Sequence, residues 1–76
     1  MKKAFVLVNT DLGSEAQVMS ELEKVAGIAK AYEVYGVYDV VVEVEAESDQ
    51  MLKEVVFSKI RALDHVRSTL TLSAVS

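Results

Sequence analysis

The sequence predicts an α+β fold in which a four-stranded antiparallel sheet carries two helices on one face. Segments rich in β-branched residues alternate with segments of helical apolar spacing, in the order β-α-β-β-α-β. The 76-residue chain has no proline, and Gly13, Gly27 and Gly36 mark its main breaks. Short connections and right-handed crossovers leave few topologies for this order, and the ferredoxin-like split βαβ sandwich is the simplest. We therefore expect residues 1–76 to form one domain.

The first half of the chain predicts a strand followed by a helix. Residues 4–8 are apolar at successive positions, which is typical of a central strand with both faces covered. Ser14 is the expected N-cap of a helix over residues 15–26, and Gln17 completes a capping box. Gly27 stands where a left-handed C-cap is favoured.

Two further strands are expected, over residues 28–35 and 39–46, joined by a tight connection that begins at Gly36. The second of these alternates strictly. One face carries Val40, Val42, Val44 and Ala46, and the other carries Val41, Glu43, Glu45 and Glu47.

A second helix and a last strand complete the predicted order. Ser48 is the expected N-cap of the helix, and Asp49 suits the positive end of its dipole. The apolar stripe of this helix comprises Leu52, Val55, Val56, Ile60 and Leu63. The last strand is predicted over residues 66–74, with Arg67, Thr69, Thr71 and Ser73 on one face and Ser68, Leu70, Leu72 and Ala74 on the other.

In this architecture one face of the sheet has no helix to cover it. That face would carry either the Val40 set or the Val41 set, and both sets contain valine. Apolar residues make up 51% of a chain too short to bury a large core of its own. The open face is therefore a candidate dimer interface, and a homo-oligomer is expected.

Composition excludes several classes of function. Eight basic residues against twelve acidic ones give a net charge of −4, which argues against direct binding of nucleic acid. Cysteine is absent, so thiol nucleophiles and cysteine-ligated metals are excluded, and the sequence gives no reason to expect a cofactor. The longest apolar run is five residues, against the roughly 20 that a membrane span needs. A cytoplasmic protein is the default expectation.

Two polar features have competing interpretations. His65 beside Asp64 could be a general base oriented by a carboxylate, but an exposed histidine after a helix is the commoner case. Glu43, Glu45 and Glu47 could ligate a hard cation, yet carboxylates alone are a weak metal signal. A solvated strand face explains that spacing better.

The segment of residues 34–39 carries the clearest candidate site. Gly36 between two tyrosines permits a sharp turn and leaves backbone N–H groups accessible, and Asp39 adds a fixed negative charge. Donors beside a carboxylate suit a zwitterion, with the amides binding its carboxylate and Asp39 its ammonium group. An ordinary hairpin turn capped by Asp39 is the alternative. Hydroxyls on both faces of the last strand, on Ser68, Thr69 and Thr71, could line a pocket at a subunit boundary or could simply reflect β-propensity.

Gly36, Tyr38 and Asp39, followed by the apolar run from Val40 to Val42, resemble the G-x-Y-D signature of the effector domain in the Lrp/AsnC family. The later helix and the strand containing Thr69, Leu70 and Thr71 fit the same domain, also called the RAM domain. The resemblance covers nearly the whole chain. It implies a stand-alone effector domain, because these 76 residues contain no helix-turn-helix.

The resemblance also implies function. Such domains dimerise through their sheets, assemble into rings that are commonly octamers, and bind small effectors, usually amino acids, between dimers. By position, Gly36, Tyr38 and Asp39 match the ligand loop, Val37 occupies its variable position, and Thr69 and Thr71 match the hydroxyls of the last strand. A full-length regulator of the same family is the implied partner.

Two hypotheses follow. The first is a non-enzymatic oligomer that binds an amino acid and senses it or modulates an amino-acid-responsive transcription regulator. The second is a small enzyme on the related dimeric α+β barrel, acting on a small organic substrate. Such an enzyme usually needs an ionisable group in a cavity, and the position expected for His65, in a loop, suits that poorly.

Overall fold

The computed structural model describes residues 1–73. The elements in chain order are β1 (Lys2–Thr10), α1 (Glu15–Leu22), β2 (Ile28–Glu33), β3 (Val40–Ala46), α2 (Asp49–Val55), a π-helical turn (Val56–Ile60) that continues α2, and β4 (Val66–Ser73). The predicted order of strands and helices is confirmed. Ala74, the last residue of the predicted final strand, lies outside the described residues.

The four strands form one antiparallel sheet in the order β2-β3-β1-β4. β1 is central, as its apolar sequence predicts, and pairs Val6 with Val42 on one side and Val8 with Thr69 on the other. Helix α1 packs against β2, and α2 packs against β3 and β1. This is the ferredoxin-like α+β fold expected from the order of elements.

The core lies between the helices and the inner face of the two central strands. On β1 and β3 every second residue is buried, and the inward set of β3 is the one that contains Val40. Val18 and Leu22 of α1 and Ile60 of the π-helical turn are almost completely buried against these valines. Each such side chain contributes about 1.5–3 kcal/mol when fully buried.

The other face of the sheet, which we call the open face, carries both apolar and charged side chains. Its apolar part consists of Phe5, Leu7, Tyr32, Val41, Leu70 and Leu72, of which Tyr32, Leu70 and Leu72 are 45–49% exposed. Beside it, Lys3 Nζ lies 3.4 Å from Glu43 Oε1 and 3.7 Å from Glu45 Oε1. Two of the three glutamates predicted on the solvated face, Glu43 and Glu45, thus form ion pairs across the sheet.

Ser14 and Ser48 occupy the predicted N-cap positions of the two helices, but only Ser48 forms the side-chain hydrogen bond of a cap. Ser48 has an extended backbone, and its Oγ accepts a hydrogen bond from the N–H of Met51 at 3.2 Å. Ser14 has ψ near 8°, which turns its hydroxyl away from the first amides of α1, and its side chain forms no cap hydrogen bond. The predicted capping box of Ser14 and Gln17 is therefore wrong.

Several predicted boundaries also shift. Helix α1 ends at Leu22 rather than at residue 26, because the N–H groups of Lys24 and Val25 bond three residues back and tighten the chain into turns. Gly27 has the expected positive φ, +96°, but it lies in the turn before β2 instead of capping the helix. β2 ends at Glu33 rather than at residue 35, and β1 extends beyond residues 4–8 at both ends. In residues 1–73 no helix combines the length and apolar character needed to span a membrane.

Candidate functional site

The loop between β2 and β3 protrudes from one end of the sheet. Gly36 has φ +142°, a conformation that residues with a side chain rarely adopt. Tyr35 is fully exposed and Val37 is 84% exposed. Within the described residues, the backbone N–H groups of residues 36–38 form no hydrogen bond, so they are available to a ligand.

Asp39 ties this loop to the end of β1. Its backbone N–H donates to the carbonyl of Val8 at 2.9 Å, and its carbonyl accepts from the N–H of Val34 at 2.9 Å. Its side-chain Oδ2 accepts from the Thr10 backbone N–H at 2.9 Å and from the Thr10 hydroxyl at 3.4 Å. In residues 1–73 no donor reaches Oδ1, so one carboxylate oxygen is left for a ligand.

A small cleft of about 420 Å³, which we call the rim cleft, opens beside this carboxylate. It is lined by Val37 and Asp39 of the loop, by Asn9 and Thr10 at the end of β1, and by Arg67 and Ser68 at the start of β4. Arg67 is exposed, and its Nε lies 4.0 Å from Asp11 Oδ1. The cleft therefore places a carboxylate and a guanidinium group beside Val37 of the loop.

The side chains that line it are ordered by local contacts. Asn9 Nδ2 donates to Ser68 Oγ at 3.1 Å, which links β1 to β4 at the mouth of the cleft. The pairing of the two strands shifts register between Asn9 and Thr10. Asn9 opposes Ser68 and Thr10 opposes Val66, so Arg67 is an extra residue of β4 in this pairing, and it lies at the cleft.

The structure divides the six residues that the sequence singles out. Val37 and Asp39 line the rim cleft, and Gly36 and Tyr38 belong to the same loop. Thr69 and Thr71 lie on the helical side of β4, opposite Val8 and Val6, and line a different groove against α2. The loop of residues 36–39 and the hydroxyls of Thr69 and Thr71 therefore do not belong to the same site within one subunit.

The sequence analysis assigned no site role to three lining residues, Asn9, Thr10 and Arg67, and considered Ser68 only with the other hydroxyls of the last strand. Their common signal is position, since Asn9 and Thr10 end the apolar run of β1, and Arg67 and Ser68 begin the strand that pairs with it. Finding them required the register of β1 against β4, which the residue pattern alone does not determine.

His65 lies in a turn close to this end of the sheet. It is the one residue other than glycine with positive φ among residues 1–73, at +74°. Its Nδ1 is 3.3 Å from Asp11 Oδ2, and its carbonyl accepts the N–H of Asp11 at 2.8 Å. The carboxylate beside the imidazole is therefore that of Asp11, not that of the adjacent Asp64.

Metal binding finds little support in the arrangement of side chains. Glu43 and Glu45 are both directed to Lys3. Among residues 1–73, no three histidine, aspartate or glutamate side chains come together closely enough to hold a metal ion.

Comparison with solved structures finds close matches over the full chain. The crystal structure of FFRP-DM1 is 36% identical, with a TM-score of 0.93, and the alignment covers 99% of this chain and 100% of that one. A hypothetical protein, PHS023 from Pyrococcus horikoshii, is also 36% identical, with a TM-score of 0.92 and coverage of 100% and 92%. A search of curated proteins gave no match.

Larger regulators share the fold at lower identity. AsnC of E. coli is 24% identical, with a TM-score of 0.92, and the match covers 99% of this chain and 51% of AsnC. The transcriptional regulator NMB0573 of Neisseria meningitidis, solved in complex with L-Met, is 12% identical, with a TM-score of 0.86 and coverage of 99% and 50%. The chain thus corresponds to about half the length of each regulator.

The family model of the Lrp/AsnC ligand-binding domain matches residues 3–76, and therefore spans the sheet, both helices and the loop with Gly36, Tyr38 and Asp39. Together with the fold, this match confirms the resemblance seen in the sequence. The chain belongs to the family of Lrp/AsnC ligand-binding domains, and its role is that of a ligand-binding regulatory protein.

Proposed function

We propose that this protein binds an amino acid in the rim cleft and acts, without catalysing a reaction, as a sensor or modulator of amino-acid-responsive transcription regulators. One observation carries the proposal: Thr10 holds the carboxylate of Asp39 in place, while within residues 1–73 its second oxygen and the nearby loop amides form no hydrogen bond. That is an arrangement for a small molecule bearing opposite charges.

Each charged group of a zwitterion has a counterpart in the cleft. The ligand ammonium group donates to Asp39 Oδ1, and the ligand carboxylate accepts from the amides of residues 36–38 and from Arg67. Val37 is the apolar residue in the lining and is placed to contact the ligand side chain. The cleft volume of about 420 Å³ lies within the usual range of small-molecule sites, about 300–1,000 Å³.

The relatives support the same class of ligand. NMB0573 was solved with L-Met, and AsnC is a larger protein that carries this fold in about half of its length. By analogy we propose that the chain associates with copies of itself and with a full-length regulator of its family.

Assembly through the open face accounts for the apolar side chains there. Leu70 and Leu72 of β4 and Tyr32 of β2 are half-exposed on the face that neither helix of residues 1–73 covers. Burying them against a second copy gives an isologous dimer, and further contacts between dimers give a closed ring such as an octamer. We propose that a neighbouring subunit of such a ring contacts the exposed loop around Val37 and completes the site.

Calorimetry of the protein against each of the twenty amino acids tests the proposal. Charge-assisted hydrogen bonds contribute about 1.5–3 kcal/mol each. Asp39→Asn removes the charge yet keeps an oxygen that can accept from Thr10, and we expect it to weaken binding about ten- to a hundredfold. Arg67→Gln should weaken it similarly.

The matched control is Glu33→Gln, an exposed carboxylate at the end of β2 that does not line the cleft. It should bind like the wild type. If no amino acid binds the wild type, the sensor function is wrong. If Asp39→Asn keeps its melting temperature and binds as tightly as the wild type, the ligand lies elsewhere.

A further inference from the structure

A second, larger groove lies on the helical side of the sheet. It has a volume of about 930 Å³ and runs between β4 and the segment formed by α2 and the π-helical turn. It exists because the helices pack over β1, β2 and β3, which within residues 1–73 leaves the inner side of the edge strand β4 uncovered. We call it the helix–edge groove.

The residues of β4 that face this groove are hydroxylic. Thr69, Thr71 and Ser73 occupy the inward positions of β4, whereas the inward positions of the neighbouring β1 hold Ala4, Val6 and Val8. A strand whose inner side were part of the core would bury apolar side chains there. The hydroxyls instead supply a row of hydrogen-bond donors to the groove.

Positive charge is concentrated on the remaining walls. Lys2, Lys3, Lys53 and Arg61 line the groove against one carboxylate, that of Asp49, although the chain as a whole carries a net charge of −4. Lys3 is paired with Glu43 and Glu45, which leaves Lys2, Lys53 and Arg61. Within residues 1–73 none of these three cations lies within 4.0 Å of a carboxylate oxygen. Their charges are therefore not neutralised by ion pairs in the described part of the chain.

The floor and one edge of the groove are apolar. Ala4, Leu52 and Val56 form buried floor positions, and Phe57 stands at the edge with 68% of its surface exposed. The guanidinium of Arg61 lies 4.6 Å from the centroid of the Phe57 ring. An exposed ring and a cation held over it present a flat apolar surface next to positive charge.

The π-helical turn produces this edge. The N–H of Arg61 bonds to the carbonyl of Val56 at 2.8 Å, five residues back, which widens the helix at Phe57. Ile60 of the same turn remains fully buried, so the wider turn is anchored in the core while Phe57 is directed outward. Isolated π-helical turns occur frequently at functional sites.

We propose that the helix–edge groove is a second binding site, which takes a small organic anion with a flat apolar body and no ammonium group. The anionic group binds to Lys53, Arg61 and the Thr69 and Thr71 hydroxyls, and the apolar body lies on Phe57 and the groove floor. The excess of cations selects against a zwitterion, whose ammonium group they repel. This proposal does not depend on the amino-acid site in the rim cleft.

Titration with phenylpyruvate, an aromatic carboxylate without an amino group, tests the proposal by calorimetry and by amide NMR. Acetate keeps the carboxylate without the ring, and phenylethanol keeps the ring without the carboxylate. We expect phenylpyruvate to bind and both partial probes to bind at least about tenfold more weakly. Amide signals of Phe57, Thr69 and Thr71 should shift, and those of residues 36–39 should not.

Arg61→Gln should weaken phenylpyruvate binding about tenfold, since it removes one charge-assisted contact. The matched control is Lys59→Gln, which removes an equal charge from the same turn at a position that does not line the groove, and it should leave affinity unchanged. Asp39→Asn should also bind phenylpyruvate like the wild type. Three results would overturn the proposal: a dissociation constant above about 10 mM, equal losses in Arg61→Gln and Lys59→Gln, or shifts confined to residues 36–39.

Discussion

The Oδ2 atom of Asp39 accepts a hydrogen bond from the backbone N–H of Thr10 at 2.9 Å, and so joins the loop before β3 to the end of β1. The backbone N–H of Asp39 adds a second link by donating to Val8. The two roles that the sequence suggests for Asp39, a residue that caps the turn and a residue that contacts a ligand, are therefore compatible. One carboxylate oxygen holds the loop, and the other remains able to meet a ligand.

Replacing this anchor should lower stability. Asp39→Ala leaves the half-buried Thr10 N–H without its acceptor, and we expect a loss of about 1–3 kcal/mol in the free energy of unfolding. Urea unfolding of Asp39→Ala and of Asp39→Asn measures the effect. The asparagine variant should lose less, because its side-chain oxygen can still accept from Thr10. An unchanged midpoint for Asp39→Ala would show that the hydrogen bond contributes nothing.

Gly27 and Gly13 form a matched pair for backbone strain. Both have positive φ, +96° and +83°, but a Cβ at Gly27 would lie 3.1 Å from Val55 Cγ2, whereas a Cβ at Gly13 meets open space. Gly13→Ala should cost about 1 kcal/mol from strain. Gly27→Ala should cost about 2–3 kcal/mol, because crowding of Val55 is added to the strain. Equal losses in thermal unfolding would argue against the crowding.

His65 has a φ of +74°, a backbone conformation that costs free energy for any residue other than glycine. His65→Ala and His65→Gly both remove the contact of the imidazole with the Asp11 carboxylate, so the difference between them reports on the backbone conformation. We expect the glycine variant to be the more stable by about 1 kcal/mol. Denaturant midpoints of the two variants, measured side by side, decide the point. An alanine variant as stable as the glycine one would mean that the turn relaxes to negative φ.

The open face predicts a dimer or larger assembly. Leu70→Lys places a charge among the half-exposed apolar residues of β4 and should shift the molar mass in solution toward the 8.3 kDa of a single chain. Leu12→Lys is the control, since Leu12 is 99% exposed in the turn before α1. Light scattering after size exclusion measures both. A wild-type mass of 8.3 kDa at micromolar concentration would remove the basis for assembly.

Charge predicts the behaviour of this chain toward DNA. With a net charge of −4 we expect no specific binding of duplex DNA by these 76 residues alone. Any weak retardation in a gel should disappear as the salt concentration rises. A shift that persists at physiological salt would contradict this expectation.

The periodicity of β3 illustrates what the sequence could predict and what it could not. Alternating valines identified the strand and its two faces, yet both faces contained valine, so the pattern did not decide which one is inward. The pairing with β1 determines which face of β3 is inward, because Val6 pairs with Val42 and both side chains lie on the side of the helices. Information of this kind lies in the pairing of strands, not in either strand alone.

The same reason explains the partial success at the site. The loop with Gly36 and Asp39 was recognisable because its residues are adjacent in the chain. The bond from Asp39 to Thr10 spans 29 positions, and the approach of Arg67 depends on the register of β4. Thr69 and Thr71 were correctly placed on one face of the last strand. The sequence does not show how far α2 extends over the sheet, and that extent determines which groove the two threonines line.

The strand order has a consequence for how the chain folds. β1 pairs with β3 and with β4, and the second pairing joins segments from nearly opposite ends of the described chain. Loop-closure entropy makes such distant pairing slow compared with that of the neighbouring β2 and β3. We therefore expect the docking of β4 to be the last major event of folding. Destabilising changes in β4 should then accelerate unfolding while leaving the rate of folding nearly unchanged.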